Sequence, residues 1–295
     1  MFFVYLIVCS LFLCGLVFIV ANVFIFNLSD DNFIHRFFKY NFGIGFYTQL
    51  TTSWLLFLRK IRPEEKAYLE RNFPYYLHLK ERRKKEFLFR FSKFMQSKDF
   101  IPVNMTHIPD TVKYYIGATA TQVAFGLDSF VYPTFSTIYV HPQSIANTGF
   151  IFPVEGLTSM NGYVHFSMEA IEKGRSIADD GENVVVHETA HMLQMEDYGG
   201  DREENNFLDE QVFRVWLKLA VKKQRVIERG LNELLPESAA YDISEMFAVS
   251  LEHFFERPYL FQQRLPTKYK ALCVLLNQDP MNVNDPLRFR NKGFM

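Results

Sequence analysis

The sequence is poor in cysteine. It has three cysteines in 295 residues, and two of them, Cys9 and Cys14, lie in an apolar N-terminal run. Only Cys273 belongs to the body of the chain, which excludes a disulfide framework there and agrees with a reducing compartment. The sequence also has no excess of either charge, with 32 Lys and Arg against 33 Asp and Glu. A net charge of −1 produces no overall field that attracts nucleic acid, so no nucleic-acid partner is expected.

The first 26 residues lack charged side chains altogether. About 20 apolar residues can span a bilayer, so residues 1–26 are predicted to form a transmembrane anchor. A cleaved signal peptide is the alternative, but it would begin with a basic region, which is missing here. Cations follow this run and none precedes it, which by the positive-inside rule predicts that the body of the chain is cytoplasmic. The predicted localisation is therefore a single-pass, membrane-anchored protein.

Residues 27–62 are rich in aromatic and basic side chains and are predicted to be a juxtamembrane segment. Within them, residues 41–58 are uncharged but too polar for a convincing second span, and whether they enter the membrane stays open. Residues 63–295 are predicted to form one α+β domain, mainly helical and with a small β-sheet.

The pattern in the body of the chain changes from helical to β-like and back. Pro63 is typical of a helix start and Pro74 interrupts the pattern, so residues 63–100 are predicted to form two helices. Apolar spacing predicts a further helix over residues 110–125. Short β-branched or aromatic runs, bounded by Gly, Pro or Asn, predict strands over residues 137–140, 149–152 and 162–166. Such a sheet can offer an edge to an extended peptide.

The pentapeptide His-Glu-Thr-Ala-His at residues 187–191 carries the strongest chemical signal. On a helix, residues four apart share a face, so both imidazoles can bind one metal ion while Glu188 reaches a metal-bound water. Asp179 and Glu182 have the spacing of a capping box at the start of such a helix, although the valines at 184–186 would also suit a strand. The motif predicts a zinc hydrolase.

A catalytic zinc site needs a third protein ligand, and the helical pattern of residues 241–255 offers two candidates. Glu245 and Glu252 are seven residues apart, so they lie on nearly the same helix face. Both also have ordinary structural explanations, because Glu245 has capping-box spacing from Asp242 and Glu252 can be a solvated helix acid. Periodicity alone leaves the two glutamates as equal candidates.

An ordered set of motifs over roughly residues 63–285 resembles the Mlc titration factor A family of zinc-dependent peptidases, which are gluzincin-like. The matching segments are Asp180-Gly181-Glu182-Asn183-Val184, His187-Glu188-Thr189-Ala190-His191, Glu245-Met246-Phe247-Ala248-Val249, Glu252-His253-Phe254-Phe255, Arg264-Leu265-Pro266 and Asn277-Gln278-Asp279-Pro280. This resemblance implies a zincin-like metallopeptidase domain over residues 63–295. It also implies that His187, His191 and Glu245 are the zinc ligands and that Glu188 is the catalytic carboxylate.

Two further positions are interpreted through the same resemblance. Tyr241 lies close to the sequence position at which the family has a tyrosine, and it would donate a hydrogen bond to an oxyanion. A purely structural role as a half-buried aromatic residue is an equally good interpretation. Gln194 departs from the family, which usually has an aspartate at that position. A carboxylate there would orient a zinc-bound histidine, so the change affects the expected metal affinity more than the metal identity.

The sequence therefore predicts a zinc metallopeptidase in which Glu188 is the general base on a zinc-bound water. The resemblance implies aminopeptidase-type cleavage of short peptides, with a peptide substrate and a regulatory protein as partners. The alternative is a membrane-tethered regulatory protein that binds or titrates a partner and has a non-catalytic zinc site. A hydrolase of non-peptide amides, and occupancy by Mn²⁺ or Co²⁺, also stay open.

Overall fold

The computed structural model describes residues 61–146, 153–198, 207–230 and 234–284, which all belong to one compact unit. The elements in chain order are α1 (Pro63–Asn72), α2 (Pro74–His78), α3 (Glu81–Gln96), β1 (Asp99–Pro102), α4 (Asp110–Val123), β2 (Thr137–His141), β3 (Gly156–Ser159), β4 (Tyr163–Ser167), α5 (Met168–Ser176), α6 (Val184–Tyr198), α7 (Glu210–Glu228), a 3-10 turn (Glu237–Ala240), α8 (Ile243–Glu256), α9 (Pro258–Arg264) and α10 (Pro266–Leu275). The prediction of a mainly helical α+β fold with a small sheet is confirmed.

The N-terminal part of the described chain is helical, as predicted, but with three helices in place of two. Pro63 and Pro74 each occupy the first turn of a helix, where a backbone N–H would have no partner within the helix. The extended backbone of Leu79 ends α2 and separates it from α3. The helix predicted over residues 110–125 is present as α4 and ends two residues earlier.

The described strands form one four-stranded sheet in the order β1-β2-β4-β3. β1, β2 and β4 are parallel, and β3 runs antiparallel to β4. The predicted strands near residues 137–140 and 162–166 are present as β2 and β4, whereas residues 149–152 lie outside the described residues. β1 and β3 were missed because each has only four residues and no β-branched alternation.

One face of the sheet is buried, and β3 contributes to it next to α6. The buried residues of the two central strands are Ile138, Val140, Val164 and Phe166. Gly156 pairs with Phe166 and Thr158 pairs with Val164, so both β3 residues lie on this face. Because α6 packs against β3 and β4, these two positions are directed towards that helix.

The localisation predicted from the sequence is corrected. Among the described residues, no helix is long and apolar enough to cross a membrane. Even the 19-residue α7 is unsuitable, because it carries charged side chains of both signs along its length. Residues 1–26, the predicted anchor, and almost all of the predicted juxtamembrane segment lie outside the described residues. The assignment of a single-pass, membrane-anchored protein is therefore withdrawn.

Candidate metal centre

Two histidines lie on one face of α6. The rings of His187 and His191 have centroids 4.9 Å apart and are inclined by 72°, as expected for residues four apart on a helix. Val185 and Val186 are buried on the other side, where they join the core. The run of valines is therefore part of a helix and not of a strand.

Asn183 caps the start of α6. Its Oδ1 accepts hydrogen bonds from the backbone N–H groups of Val185 at 3.1 Å and Val186 at 3.2 Å. These donors have no partner within the helix, so the asparagine satisfies what the backbone cannot. The predicted capping box of Asp179 and Glu182 is wrong, because the helix begins after Glu182 and a different side chain caps it.

The same asparagine ties α6 to α4 and α8. Its Nδ2 donates to the hydroxyl of Tyr115 and to Glu256 Oε1, both at 2.8 Å, and its backbone N–H donates to Glu252 Oε2 at 2.6 Å. Gly181 N donates to the second oxygen of Glu256 at 3.1 Å. Burial raises the pKa of Glu256 to about 7, against the opposing effect of the hydrogen bond from Asn183. These contacts fix the position of α6 relative to α8.

Glu245, near the start of α8, faces both histidines of α6. Its carboxylate oxygens lie 3.4 Å from His187 Nε2 and 3.3 Å from His191 Nε2. Ligand atoms of the three side chains all lie within 4.8 Å of one another, so together they could hold a metal ion. The Asp242 side chain caps α8 by accepting from Glu245 N at 2.8 Å, which leaves the Glu245 carboxylate free for the histidines.

Glu252, the equal candidate by periodicity, has a different place. Its Oε1 lies 2.8 Å from Nδ1 of His187, the ring nitrogen opposite the one that faces Glu245. A carboxylate at that position orients the ring and makes its other nitrogen more basic. Glu245 is therefore the candidate ligand, and Glu252 supports the histidine from behind.

Ser244 and Gln194 stand behind His191. The Ser244 hydroxyl lies 2.9 Å from His191 Nδ1 and 2.7 Å from Gln194 Oε1, to which it donates. Gln194 is only 4% exposed. Gln194, which departs from the family pattern, is thus connected to His191 through the hydroxyl of Ser244.

The electrostatics of the cluster favour a cation. Burial acts to lower the pKa of His187, but hydrogen bonds with Glu245 and Glu252 raise it well above its ordinary value. Burial acts to raise the pKa of Glu245, but the neighbouring His187 and His191 hold it below its usual range. The negative charge of Glu245 faces Nε2 of both histidines, so it would stabilise a divalent cation there, while Glu252 acts on His187 from the Nδ1 side. The donor set and its surroundings therefore fit a metal ion.

Glu188 is buried beside this cluster and is held by β3. Thr158 Oγ1 donates to Glu188 Oε2 at 2.7 Å, and the glutamate is 4% exposed. Burial raises the pKa of Glu188, while the two histidines and the bond from Thr158 oppose the increase. A Cβ atom at position 156 would lie 2.6 Å from Glu188 Cγ, so a larger residue than Gly156 would displace this carboxylate.

The sequence predicts a hydrolase, and in such an enzyme removal of the Thr158 hydroxyl should reduce turnover without changing the metal site. Thr158→Val keeps the shape of the side chain but leaves the buried carboxylate of Glu188 without its hydrogen-bond donor. A hydrogen bond to a charged group contributes about 1.5–3 kcal/mol. We expect kcat to fall by roughly tenfold or more with little change in KM. Steady-state kinetics check this, with Thr158→Ser, which keeps the hydroxyl, as the control. Equal kcat values for the two variants would contradict a positioning role for Thr158.

Tyr241 follows the 3-10 turn and immediately precedes Asp242. Its backbone N–H donates to Ser238 O at 3.0 Å, and its side chain is 79% exposed. The interpretation of Tyr241 as a half-buried aromatic residue is therefore wrong. Its role at an oxyanion stays a prediction.

Two histidines and a glutamate from adjacent helices, with a buried glutamate beside them, are typical of the metallopeptidase class. The chain belongs to the family described as glucose-regulated metallo-peptidase M90, whose model matches residues 49–275. This match begins inside the segment predicted as juxtamembrane, upstream of residue 63, where the motifs of the resemblance begin.

The chain is also similar to individual proteins. An uncharacterized protein of Synechocystis sp. is 29% identical over 249 residues, and the match covers 77% of this chain and 88% of that protein. Mlc titration factor A of Yersinia enterocolitica is 29% identical over 110 residues, and that of Escherichia coli is 32% identical over 109 residues. Each of these two matches covers 34% of this chain and 40% of the titration factor. The resemblance to the Mlc titration factor A family is confirmed.

Proposed function

We propose that the protein is a zinc-dependent peptidase in which His187, His191 and Glu245 hold the metal ion and Glu188 is the general base. The observation that carries the proposal is the meeting of these three ligand-capable side chains beside a buried carboxylate. Two imidazoles and one carboxylate are the donors of a catalytic zinc site that keeps one position open. Membership of a metallopeptidase family supports the same class of reaction.

The bound ion would polarise the scissile carbonyl and acidify a water molecule. Glu188 takes a proton from the attacking water and later delivers it to the nitrogen of the leaving amine. Burial raises the pKa of Glu188, so its proton is held more firmly than on an exposed glutamate, which suits a group that must accept and then donate. Tyr241 is the proposed donor to the oxyanion, and this role rests on the family resemblance, since its side chain is exposed and the residue precedes α8.

The substrate proposed is the N-terminal part of a short peptide. β3 has β4 on one side and, within the described residues, no strand on the other. An extended peptide can pair with such an edge, and Thr158 of this strand contacts Glu188. Because β3 has four residues, it can pair with only a few residues of a substrate. The aminopeptidase type itself rests on the family resemblance.

The proposal is tested by hydrolysis of chromogenic peptides with the purified full-length chain. Unblocked aminoacyl and dipeptidyl substrates are compared with the same substrates carrying a blocked N-terminus. We expect cleavage of the unblocked series, loss of activity after treatment with a chelator, and recovery on addition of zinc. Preference for the blocked series would reject the aminopeptidase type while keeping the peptidase.

A regulatory binding protein is the second candidate, because the relatives from Yersinia enterocolitica and Escherichia coli are named as titration factors. In that case the chain would bind zinc but cleave none of the peptides. The buried Glu188 favours the enzyme, since a metal site that serves only structure needs no carboxylate held beside its ligands.

A further inference from the structure

The two candidate histidine ligands have chemically different partners at Nδ1. His187 faces the carboxylate of Glu252 at 2.8 Å. His191 faces the hydroxyl of Ser244 at 2.9 Å, and that hydroxyl lies 2.7 Å from Gln194 Oε1. One histidine is therefore supported by an acid and the other by a chain of neutral groups.

The direction of the hydrogen bonds between His191, Ser244 and Gln194 follows from the number of hydrogens available. A serine hydroxyl has one hydrogen, and a carboxamide oxygen can only accept, so the Ser244 hydrogen is directed to Gln194. The Ser244 oxygen then presents a lone pair to His191, whose Nδ1 must carry a hydrogen to make the contact. With Nδ1 protonated, Nε2 of the neutral ring keeps its lone pair on the side of Glu245.

We propose that Ser244 and Gln194 are positioning residues that hold His191 in the Nδ1–H tautomer, with Nε2 free to bind the metal ion. The inference rests on the proposed role of His191 as a ligand. Gln194 is 4% exposed, which limits competition by water for the hydroxyl hydrogen. A glutamine therefore does at this position, through a serine, part of what a carboxylate does directly for His187.

The matched variants for a test lie on the same helix. Ser244→Ala removes the hydroxyl that connects His191 to Gln194, and Ser244→Thr keeps it. Ser250→Ala is the control, because Ser250 is also a buried serine of α8 but its hydroxyl has no hydrogen-bond partner among the described residues. Zinc affinity of the metal-free proteins is measured by competition with a chromophoric chelator.

Ser244→Ala should bind zinc about 10–100-fold more weakly than the parent, the usual effect of losing a partner of a ligating histidine. Ser244→Thr and Ser250→Ala should stay close to the parent. If Ser244→Ala bound zinc as tightly as Ser250→Ala, the proposed role of Ser244 would be overturned. The same conclusion would follow if Ser250→Ala lost as much affinity as Ser244→Ala.

The tautomer is measured separately from zinc binding, by the ¹⁵N shifts of the His191 ring in the metal-free protein at alkaline pH. We expect Nδ1–H in the parent and a shift towards a mixture in Ser244→Ala. An Nε2–H tautomer in the parent would overturn the inference whatever the zinc affinity. A parent with the Nδ1–H tautomer but without zinc affinity would instead reject the metal site of the proposed function.

Discussion

Glu188→Gln is expected to keep its zinc affinity and to lose about 10²–10⁴-fold in kcat, the usual contribution of general acid–base catalysis. The glutamine has the shape of the glutamate and can still accept the hydrogen bond from Thr158. It cannot accept a proton from water at neutral pH, so the reaction loses its base while the three ligand side chains stay in place. Kinetics on the best unblocked peptide, together with zinc content, measure both effects.

Glu169→Gln provides the matched control for this experiment, because it makes the same chemical change at an exposed position of α5. It should have parental kcat and zinc content. Retained turnover in Glu188→Gln would reject the glutamate as the base. Loss of zinc from Glu188→Gln would show instead that this carboxylate is needed for the metal site, which the contacts of the three candidate ligands do not suggest.

Glu245→Gln and Glu252→Gln should weaken zinc binding to different extents. Glu252→Gln loses the charge behind His187 but keeps an oxygen that can accept from Asn183, and we expect a loss of about 10–100-fold. Glu245→Gln replaces an anionic donor by a neutral amide between the two histidines, so the loss should exceed that range. Chelator competition on the metal-free proteins ranks the two variants.

This ranking separates the two glutamates that helical periodicity leaves as equals. If Glu252→Gln lost more zinc affinity than Glu245→Gln, Glu252 would be the ligand and the geometry of the cluster would need to change on metal binding. Thermal unfolding of both variants with and without zinc serves as the control for folding. A variant that is stable without zinc but is not stabilised by it has lost the site and not the fold.

The sequence alone predicts the two helices of the candidate site, but it does not predict the contacts that surround their side chains. Local spacing indicated α6 and α8, because the histidine pair and the glutamates each follow a helical period. It did not distinguish Glu245 from Glu252, since residues seven apart share a face, and only the family resemblance chose between them. The structure separates them by the nitrogen of His187 that each carboxylate contacts.

For the residues around the candidate ligands, the local sequence predicts some contacts and not others. Asn183 stands directly before the apolar residues of α6, which is itself a local signal for the cap, but the acidic pair at 179 and 182 has the more familiar capping-box spacing. Thr158 contacts a residue 30 positions later in the chain, and no periodicity connects the two. The same holds for Ser244 and Gln194, which are separated by 50 positions. Contacts of this kind depend on the packing of α6 against β3 and α8, which a single sequence does not encode locally.

Among the described strands, β3 has a partner on one edge only, and this has a consequence for solubility. Unpaired backbone groups on an edge strand can also pair with a second copy of the chain and begin aggregation. The strand has only four residues and begins with glycine, which has little tendency to form strands. A longer, more β-branched edge would pair with neighbouring molecules more strongly, so the short length that limits a paired peptide also limits pairing of this edge with a second copy of the chain.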